Sequence, residues 1–255
     1  MKTRQRLDAI LVERGLAASR ERARALVLAG HVRVDGAKVT KAGAPVAATA
    51  DVVVVQPDHP YVGRGGVKLA AALEAFRIDP AARTALDVGA STGGFTDVLL
   101  RRGAARVVAL DVGHGQLDWT LRTDARVVVL EHVNARALTP GQLPAGLRAF
   151  DLVTVDVSFI SLRQVLPAIV ALLRPEADVV ALVKPQFEAG RREVGKGGIV
   201  RDAAVQARVV DEVTAAADAL GLERAGSFES PIAGAEGNRE FFVHLRRRRG
   251  RDPHD

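Results

Sequence analysis

Two residues that close apolar runs carry most of the reactive chemistry legible in this chain. Asp156 ends Leu152-Val153-Thr154-Val155, and Lys184 ends Val179-Val180-Ala181-Leu182-Val183. A lysine at the end of a buried strand is unusual. Partial burial and a neighbouring cation push its pKa down, so the amine can act as a base. The other readings are an ammonium that snorkels to solvent and a structural ion pair with Asp156.

A third run ends in Asp87, within Leu86-Asp87-Val88-Gly89-Ala90-Ser91-Thr92-Gly93-Gly94-Phe95. Glycines here let the backbone come close to a ligand that a Cβ would block. The dinucleotide fingerprint G-x-G-x-x-G offers backbone amides and a helix N-terminus to a pyrophosphate. In this chain the spacing is Gly89-x-x-x-Gly93-Gly94, and Asp87 stands two residues before the first glycine. An acid there repels a pyrophosphate and suits a ligand with an amino or sulfonium group, such as S-adenosylmethionine. Asp111 ends Val107-Val108-Ala109-Leu110, 24 positions after Asp87, and can accept hydrogen bonds from ribose hydroxyls. Without a ligand, the same segment is a glycine-rich turn.

These residues need a frame. Strand-like runs at 84–88, 106–111, 126–130, 151–156 and 178–184 alternate with helical stretches at 94–102, 115–122, 162–173 and 202–220. A last strand is predicted at Phe241–Leu245, and Lys68 opens a helical pattern with Leu69, Leu73 and Phe76. Such alternation predicts an α/β fold, a mostly parallel sheet with helices on both faces. Ligands of such sheets bind beyond the C-terminal strand ends, where Asp87, Asp111, Asp156 and Lys184 all fall.

With 255 residues, 48% of them hydrophobic, the chain can bury one large domain and a small one. It has no cysteine, which excludes disulfides, thiol catalysis and cysteine-ligated metal. No apolar stretch is long enough to span a bilayer and no signal-peptide core is visible, so a soluble cytoplasmic protein, without membrane contact, is the expectation. The histidines are scattered and no metal-ligand spacing is visible; no metal is expected. Residues 1–58 carry ten Lys/Arg against six Asp/Glu, while 59–245 carry 21 against 22. That distribution fits a polyanion-binding module appended to a nearly neutral domain.

The basic end has its own pattern. Leu7, Ile10 and Leu11 predict a helix closed by Gly15, and Ser19 is a good N-cap for a second with Ala23, Leu26 and Val27 inward. Val32-Arg33-Val34-Asp35-Gly36-Ala37-Lys38-Val39 predicts a hairpin around Asp-Gly. This stretch resembles the RNA-binding module of ribosomal protein S4, through Arg6-Leu7-Asp8, Ser19-Arg20, Ala23 and the Gly30–Gly36 turn. The resemblance implies a small α+β domain that grips folded RNA by phosphate contact and shape. Its candidate RNA contacts are Arg4, Arg6, Arg20, Arg22, Arg24, Arg33, Lys38 and Lys41. With only 4% aromatic residues, base stacking is not expected to dominate. The Pro- and Gly-rich segment 59–67 reads as a linker.

Lys68, Asp156, Lys184 and Glu240 follow one another in the order Lys-Asp-Lys-Glu, which resembles the tetrad of FtsJ-like ribose 2′-O-methyltransferases. Gly63-Arg64-Gly65-Gly66-Val67-Lys68, Asp111-Val112-Gly113-His114-Gly115-Gln116, Asp156-Val157-Ser158-Phe159-Ile160-Ser161, Lys184-Pro185-Gln186-Phe187-Glu188 and Gly237-Asn238-Arg239-Glu240 are similar to the TlyA family. His114 departs from that pattern, in which a tyrosine stands there.

The resemblance implies a Rossmann-like class I methyltransferase domain over 68–246, with a seven-stranded sheet. It implies S-adenosylmethionine as cofactor, with Asp87, Gly89, Ala90, Ser91, Thr92, Gly93 and Phe95 around its methionine portion. Asp111 would hold the ribose, Asn134 the adenine, and Asp156 would lie between cofactor and substrate. The partner implied is ribosomal RNA or a ribosomal subunit, approached by a monomer. The reaction implied is methyl transfer to a ribose 2′-oxygen, with Lys184 taking the hydroxyl proton or stabilising the developing alkoxide and Lys68, Asp156 and Glu240 setting that lysine. Arg64 and Lys196, the latter in the basic loop Arg191–Gly198, are further RNA candidates, and 247–255 reads as a disordered basic tail. Competing readings are a noncatalytic RNA-binding or ribosome-assembly factor, a membrane-active hemolysin and, least of all, a dinucleotide oxidoreductase.

Overall fold

The computed structural model describes residues 4–28, 30–55, 59–234 and 236–247. The N-terminal module begins with β1 (Arg4–Arg6), α1 (Leu7–Glu13) and α2 (Arg20–Leu28). The Ser19 hydroxyl accepts from the Arg22 amide at 3.1 Å, the N-cap that its position predicts. Strands β2 (Val32–Val34) and β3 (Ala37–Lys38) form the hairpin, with Asp35 and Gly36 both at positive φ. That is the turn chemistry Asp-Gly supplies. Strand β4 (Pro45–Ala47) pairs with β1, and β5 (Val52–Val54) with β2. The two helices and small sheets close on Leu7, Ile10, Leu11, Ala23, Val27, Val32 and Val52. Strands β1 and β4 have no hydrophobic run to announce them, and the pattern missed both.

The large domain holds a seven-stranded sheet in the order β11-β12-β10-β9-β6-β7-β8. Its strands are β6 (Thr84–Val88), β7 (Arg106–Leu110), β8 (Val127–Leu130), β9 (Phe150–Val155), β10 (Leu173–Val183), β11 (Leu222–Glu229) and β12 (Phe241–Arg247). The five from β6 to β10 are parallel where they pair, and β12 runs antiparallel between β10 and β11. Because successive side chains leave opposite faces, each strand feeds two cores. Leu86 and Val88 join Val165, Leu166 and Ile169 of α6 (Leu162–Val170) and Val209 and Val213 of α8 (Ala203–Ala219). Ala85 joins Leu69 and Leu73 of α3 (Gly65–Phe76) and Val98 and Leu99 of α4 (Gly94–Arg101).

Several boundaries differ from expectation. Helix α3 starts at Gly65, inside the stretch read as linker, because Gly66 turns back to bond the Gly63 carbonyl at 3.0 Å. The helix expected over 115–122 shrinks to α5 (Trp119–Arg122), capped by the Asp118 carboxylate on the Thr120 amide at 2.9 Å. Strand β11 was missed because Leu222-Glu223-Arg224-Ala225-Gly226-Ser227-Phe228-Glu229 is an edge strand with mostly polar residues. Arg247, the first residue of the expected basic tail, lies in β12 beside Arg246, which bonds Asp178 at 3.0 Å. Arg248, Arg249, Arg251 and Asp58 lie outside the described residues.

Candidate active site

The C-terminal ends of β6, β7, β8 and β9 open onto a cleft of about 560 Å³. Gly89, Ser91, Asp111, Asn134 and Asp156, all singled out in the sequence, line it, together with Gln116 and Phe159. Gly89 has φ +86°, and a Cβ there would stand 2.3 Å from the Asp156 carbonyl oxygen. Only glycine allows the β6 and β9 loops to pass this closely. Asp111 organises the floor of the cleft. One carboxylate oxygen accepts from the Ser91 amide at 2.8 Å and the other from the Gly113 amide at 2.7 Å. A carboxylate has about four acceptor sites, so Asp111 keeps capacity for ligand hydroxyls. Asn134 is exposed on the cleft wall, and its side-chain oxygen caps the Arg136 amide at 3.0 Å, leaving its NH2 group for a ligand.

Other members of the loop do not reach this cleft. Asp87 is fully buried and points toward α4. It accepts from Thr96 Oγ1 at 2.7 Å and Thr154 Oγ1 at 2.9 Å. Burial pushes its carboxyl up to about 7, the two threonine hydroxyls oppose the rise, and the Asp156 charge adds to it. Asp87 therefore supports the loop from beneath, bonded to α4 and β9. Phe95 is buried against Phe242, with ring centroids 6.1 Å apart. At Gly93 a Cβ would collide with Leu121 and Leu117. Ala90 is buried, and Thr92 faces a separate hollow between the module and the large domain.

The four tetrad residues form two ion pairs. Lys184 Nζ lies 2.5 Å from Asp156 Oδ1 and donates to Ser158 Oγ at 3.0 Å. An ammonium has three donors, so one stays available, and both partners, Asp156 and Ser158, line the cleft. Lys68 Nζ, on α3, lies 2.5 Å from Glu240 Oε2, and both side chains are buried. Buried Glu188, in the short helix α7 (Pro185–Glu188) next to Lys184, accepts from Ser161 Oγ at 2.5 Å and the Leu162 amide at 2.7 Å. It thereby ties the loop carrying Asp156 to the segment carrying Lys184. Phe159, between them, is 91% exposed, has φ +65°, and its ring centroid lies 5.1 Å from that of Phe187.

Asn238 was quoted in a motif but given no role. It is buried, accepts the Val200 amide at 2.9 Å and donates to the Gly198 carbonyl at 2.9 Å. It fixes the glycine-rich loop that carries exposed Lys196 to the segment leading to Glu240. Buried asparagine two residues from a candidate acid is the signal that could have found it.

The candidate RNA residues separate into groups. Arg6, Arg20 and Arg24 converge on the fully buried Asp8 at 2.8, 3.5 and 3.3 Å. The Arg6 hydrogen bonds above all, with Arg24 and Arg20, hold the Asp8 carboxyl down at about 2 against the opposing effect of burial. Three half-exposed guanidiniums on one carboxylate leave a surplus of positive charge in a fixed arrangement. Arg22 instead crosses to the large domain and pairs with Asp118. Arg33 donates to the Gly36 carbonyl at 3.2 Å, and Arg64 to the Ala233 carbonyl at 3.2 Å. Arg4, Lys38 and Lys41 are exposed. Among the described residues no cluster could hold a metal ion, and no helix is long and apolar enough to cross a membrane.

Comparison with known proteins agrees with this geometry. Residues 61–247 match the FtsJ-like methyltransferase family and residues 5–53 the S4 domain. A 16S/23S rRNA (cytidine-2′-O)-methyltransferase of Mycobacterium tuberculosis, TlyA, is 53% identical over 96% of this chain and 91% of its own length. Hemolysin A of Brachyspira hyodysenteriae is 41% identical over 94% of this chain and 99% of its own length. The structure of a candidate hemolysin of Streptococcus thermophilus superposes with a TM-score of 0.74 at 41% identity, covering 97% of this chain and 90% of that one.

Proposed function

The chain belongs to the FtsJ-like methyltransferases of the TlyA family, and from that premise we propose that it methylates ribose 2′-hydroxyls of ribosomal RNA with S-adenosylmethionine as donor. The observation that carries the reading is the Lys184–Asp156 pair, whose carboxylate lines the same cleft as Gly89 and Asp111.

The cleft suits this cofactor. Its carboxylate at Asp111 fits ribose hydroxyls, Asn134 offers an amide to the adenine, and Gly89 lets the β6 and β9 loops meet at its edge. When bound, S-adenosylmethionine supplies an electrophilic methyl group on a sulfonium. The protein's own part is to hold the acceptor. Lys184 Nζ offers its free donor to the 2′-oxygen and stabilises the charge that develops there, while the Asp156 carboxylate accepts the hydroxyl proton. Ser158 and Asp156 fix the ammonium in place, and Glu188 fixes their two segments, so the acceptor oxygen is oriented before it reacts. The buried Lys68–Glu240 pair supports the same end of the sheet.

The module over residues 1–58 grips the RNA through Arg6, Arg20 and Arg24, with Lys196 and Arg64 as contacts on the large domain. A noncatalytic assembly factor would not need a reactive lysine held this way. The hemolysin names belong to relatives, and no described helix is long and apolar enough to cross a membrane.

The deciding experiment is methyl transfer to ribosomal subunits, with the modified positions mapped in the RNA. Lys184→Ala should lower transfer by about 10²–10⁴ while calorimetry shows unchanged cofactor affinity. Full activity in that variant overturns the reading.

A further inference from the structure

Beyond the reaction centre, the junction of the two domains contains a groove of about 520 Å³. One wall is the start of α2 with Ala18, Ser19, Glu21 and Arg22; the other is Trp119 and Thr120 of α5. Its volume lies in the range of small-molecule sites, about 300–1,000 Å³. Trp119 is the chain's only tryptophan, and it is 52% exposed. Among the described residues no aromatic ring stacks on it. A large ring left half in water at a domain junction is an unusual disposition for this residue type.

Three observations define what the groove would take. Its surface is largely apolar, which suits the face of a flat ring. Its floor is fixed, because Arg22 pairs with Asp118, the residue that caps α5 and precedes Trp119. Its charge is nearly balanced: Arg22 and Asp118 neutralise each other, Glu21 is a single acid on the rim, and Arg20 and Arg24 turn away to Asp8. An apolar platform of this kind, one wall of which belongs to the matched S4 domain, fits the face of an unpaired base.

We propose that Trp119 is a stacking platform for an unpaired nucleotide of the RNA substrate, held between α2 of the module and α5 of the large domain. This rests on the RNA-methyltransferase reading and adds a base contact to a module otherwise expected to bind by charge and shape. Trp119 follows the loop after β7, the same loop that supplies Asp111 and Gln116 to the cofactor cleft. An occupied groove therefore sets the distance between the gripped RNA and the reaction centre.

The single tryptophan makes the test direct. Oligouridylate and oligoadenylate, each added to saturation as judged by fluorescence anisotropy of labelled RNA, should quench Trp119 emission. A fully paired duplex of the same length should not. Trp119→Ala should weaken binding of the single strands and of ribosomal subunits about five- to one-hundredfold, while Trp119→Phe keeps most of the affinity. Calorimetry with S-adenosylmethionine, unchanged in both variants, shows that the large domain is folded. Unchanged emission at saturation, or full RNA affinity in Trp119→Ala, overturns the proposal. If the unaltered protein transfers no methyl group to ribosomal RNA, the functional reading fails whatever the emission does. If it transfers normally and Trp119→Ala binds as tightly, only the stacking proposal fails.

Discussion

Gly89 and Asp156 pass so closely that a Cβ on the first would stand 2.3 Å from the carbonyl oxygen of the second. The glycine is also held at φ +86°, a region costly for any other L-residue. Gly89→Ala must therefore push the β6 and β9 loops apart at the cofactor cleft. Calorimetry should show S-adenosylmethionine affinity reduced by at least about tenfold, with a lower thermal midpoint from strain that overpacked sites carry. Native affinity in this variant would show that the close approach does not shape the cofactor site.

The Lys68–Glu240 pair is buried, so each partner alone is a burden. Lys68→Met or Glu240→Met should cost about 3–5 kcal/mol, because an uncompensated charge stays behind. The double substitution should recover most of that stability in denaturant unfolding. Methyl transfer should stay low in all three variants. If the double variant is as unstable as the singles, the pair is not the reason for the loss.

Asp87 gives a pH signature. Its carboxyl sits at about 7 in the folded protein against 3.8 when free. Between those values the folded state binds more protons than the unfolded state. The stability it contributes therefore falls as pH rises through that window, and the cost is fully present above about pH 7. Asp87→Asn keeps the shape without the charge. The unaltered protein's thermal midpoint should fall between pH 5 and 7, and that of Asp87→Asn should lose this slope. Parallel profiles for the two proteins would contradict the burial of an ionisable group at this position.

How far these residues could be read beforehand depends on how local their signals are. Asp111, Asp156 and Lys184 each end an apolar run, and a parallel sheet brings strand ends to one edge. Asp87 ends the same kind of run, yet it faces inward. In a strand covered on both faces the hydrophobic pattern does not alternate, so nothing local says which way its side chain points. The pairing of Lys68 with Glu240 spans 172 residues and belongs to the sheet order. Helical periodicity alone turns Arg20 and Arg24 outward, and Arg6 precedes the first predicted helix. That Asp8 gathers all three depends on how α1 and α2 pack. The polar edge strand β11 left no periodic trace at all.

Asn238 predicts a different failure. Its two hydrogen bonds are what joins the glycine-rich loop to the segment before Glu240. Asn238→Ala leaves the buried Val200 amide without that acceptor, at about 1–3 kcal/mol. Hydrogen exchange should quicken at Val200 and its neighbours, while cofactor affinity stays near its native value. Unchanged exchange there would mean that other contacts hold the loop.

Strand β12 enters the sheet last but lies inside it, between β10 and β11, and it delivers Glu240 to a lysine made near the start of the domain. During synthesis, Lys68 waits through nearly the whole domain for its counter-charge, and the edge of β10 stays open until β12 arrives. A chain cut between Lys184 and Glu240 keeps Asp111, Asp156 and Lys184 but leaves Lys68 without its counter-charge. The sheet order thus makes the arrival of β12 the step that both covers β10 and neutralises Lys68.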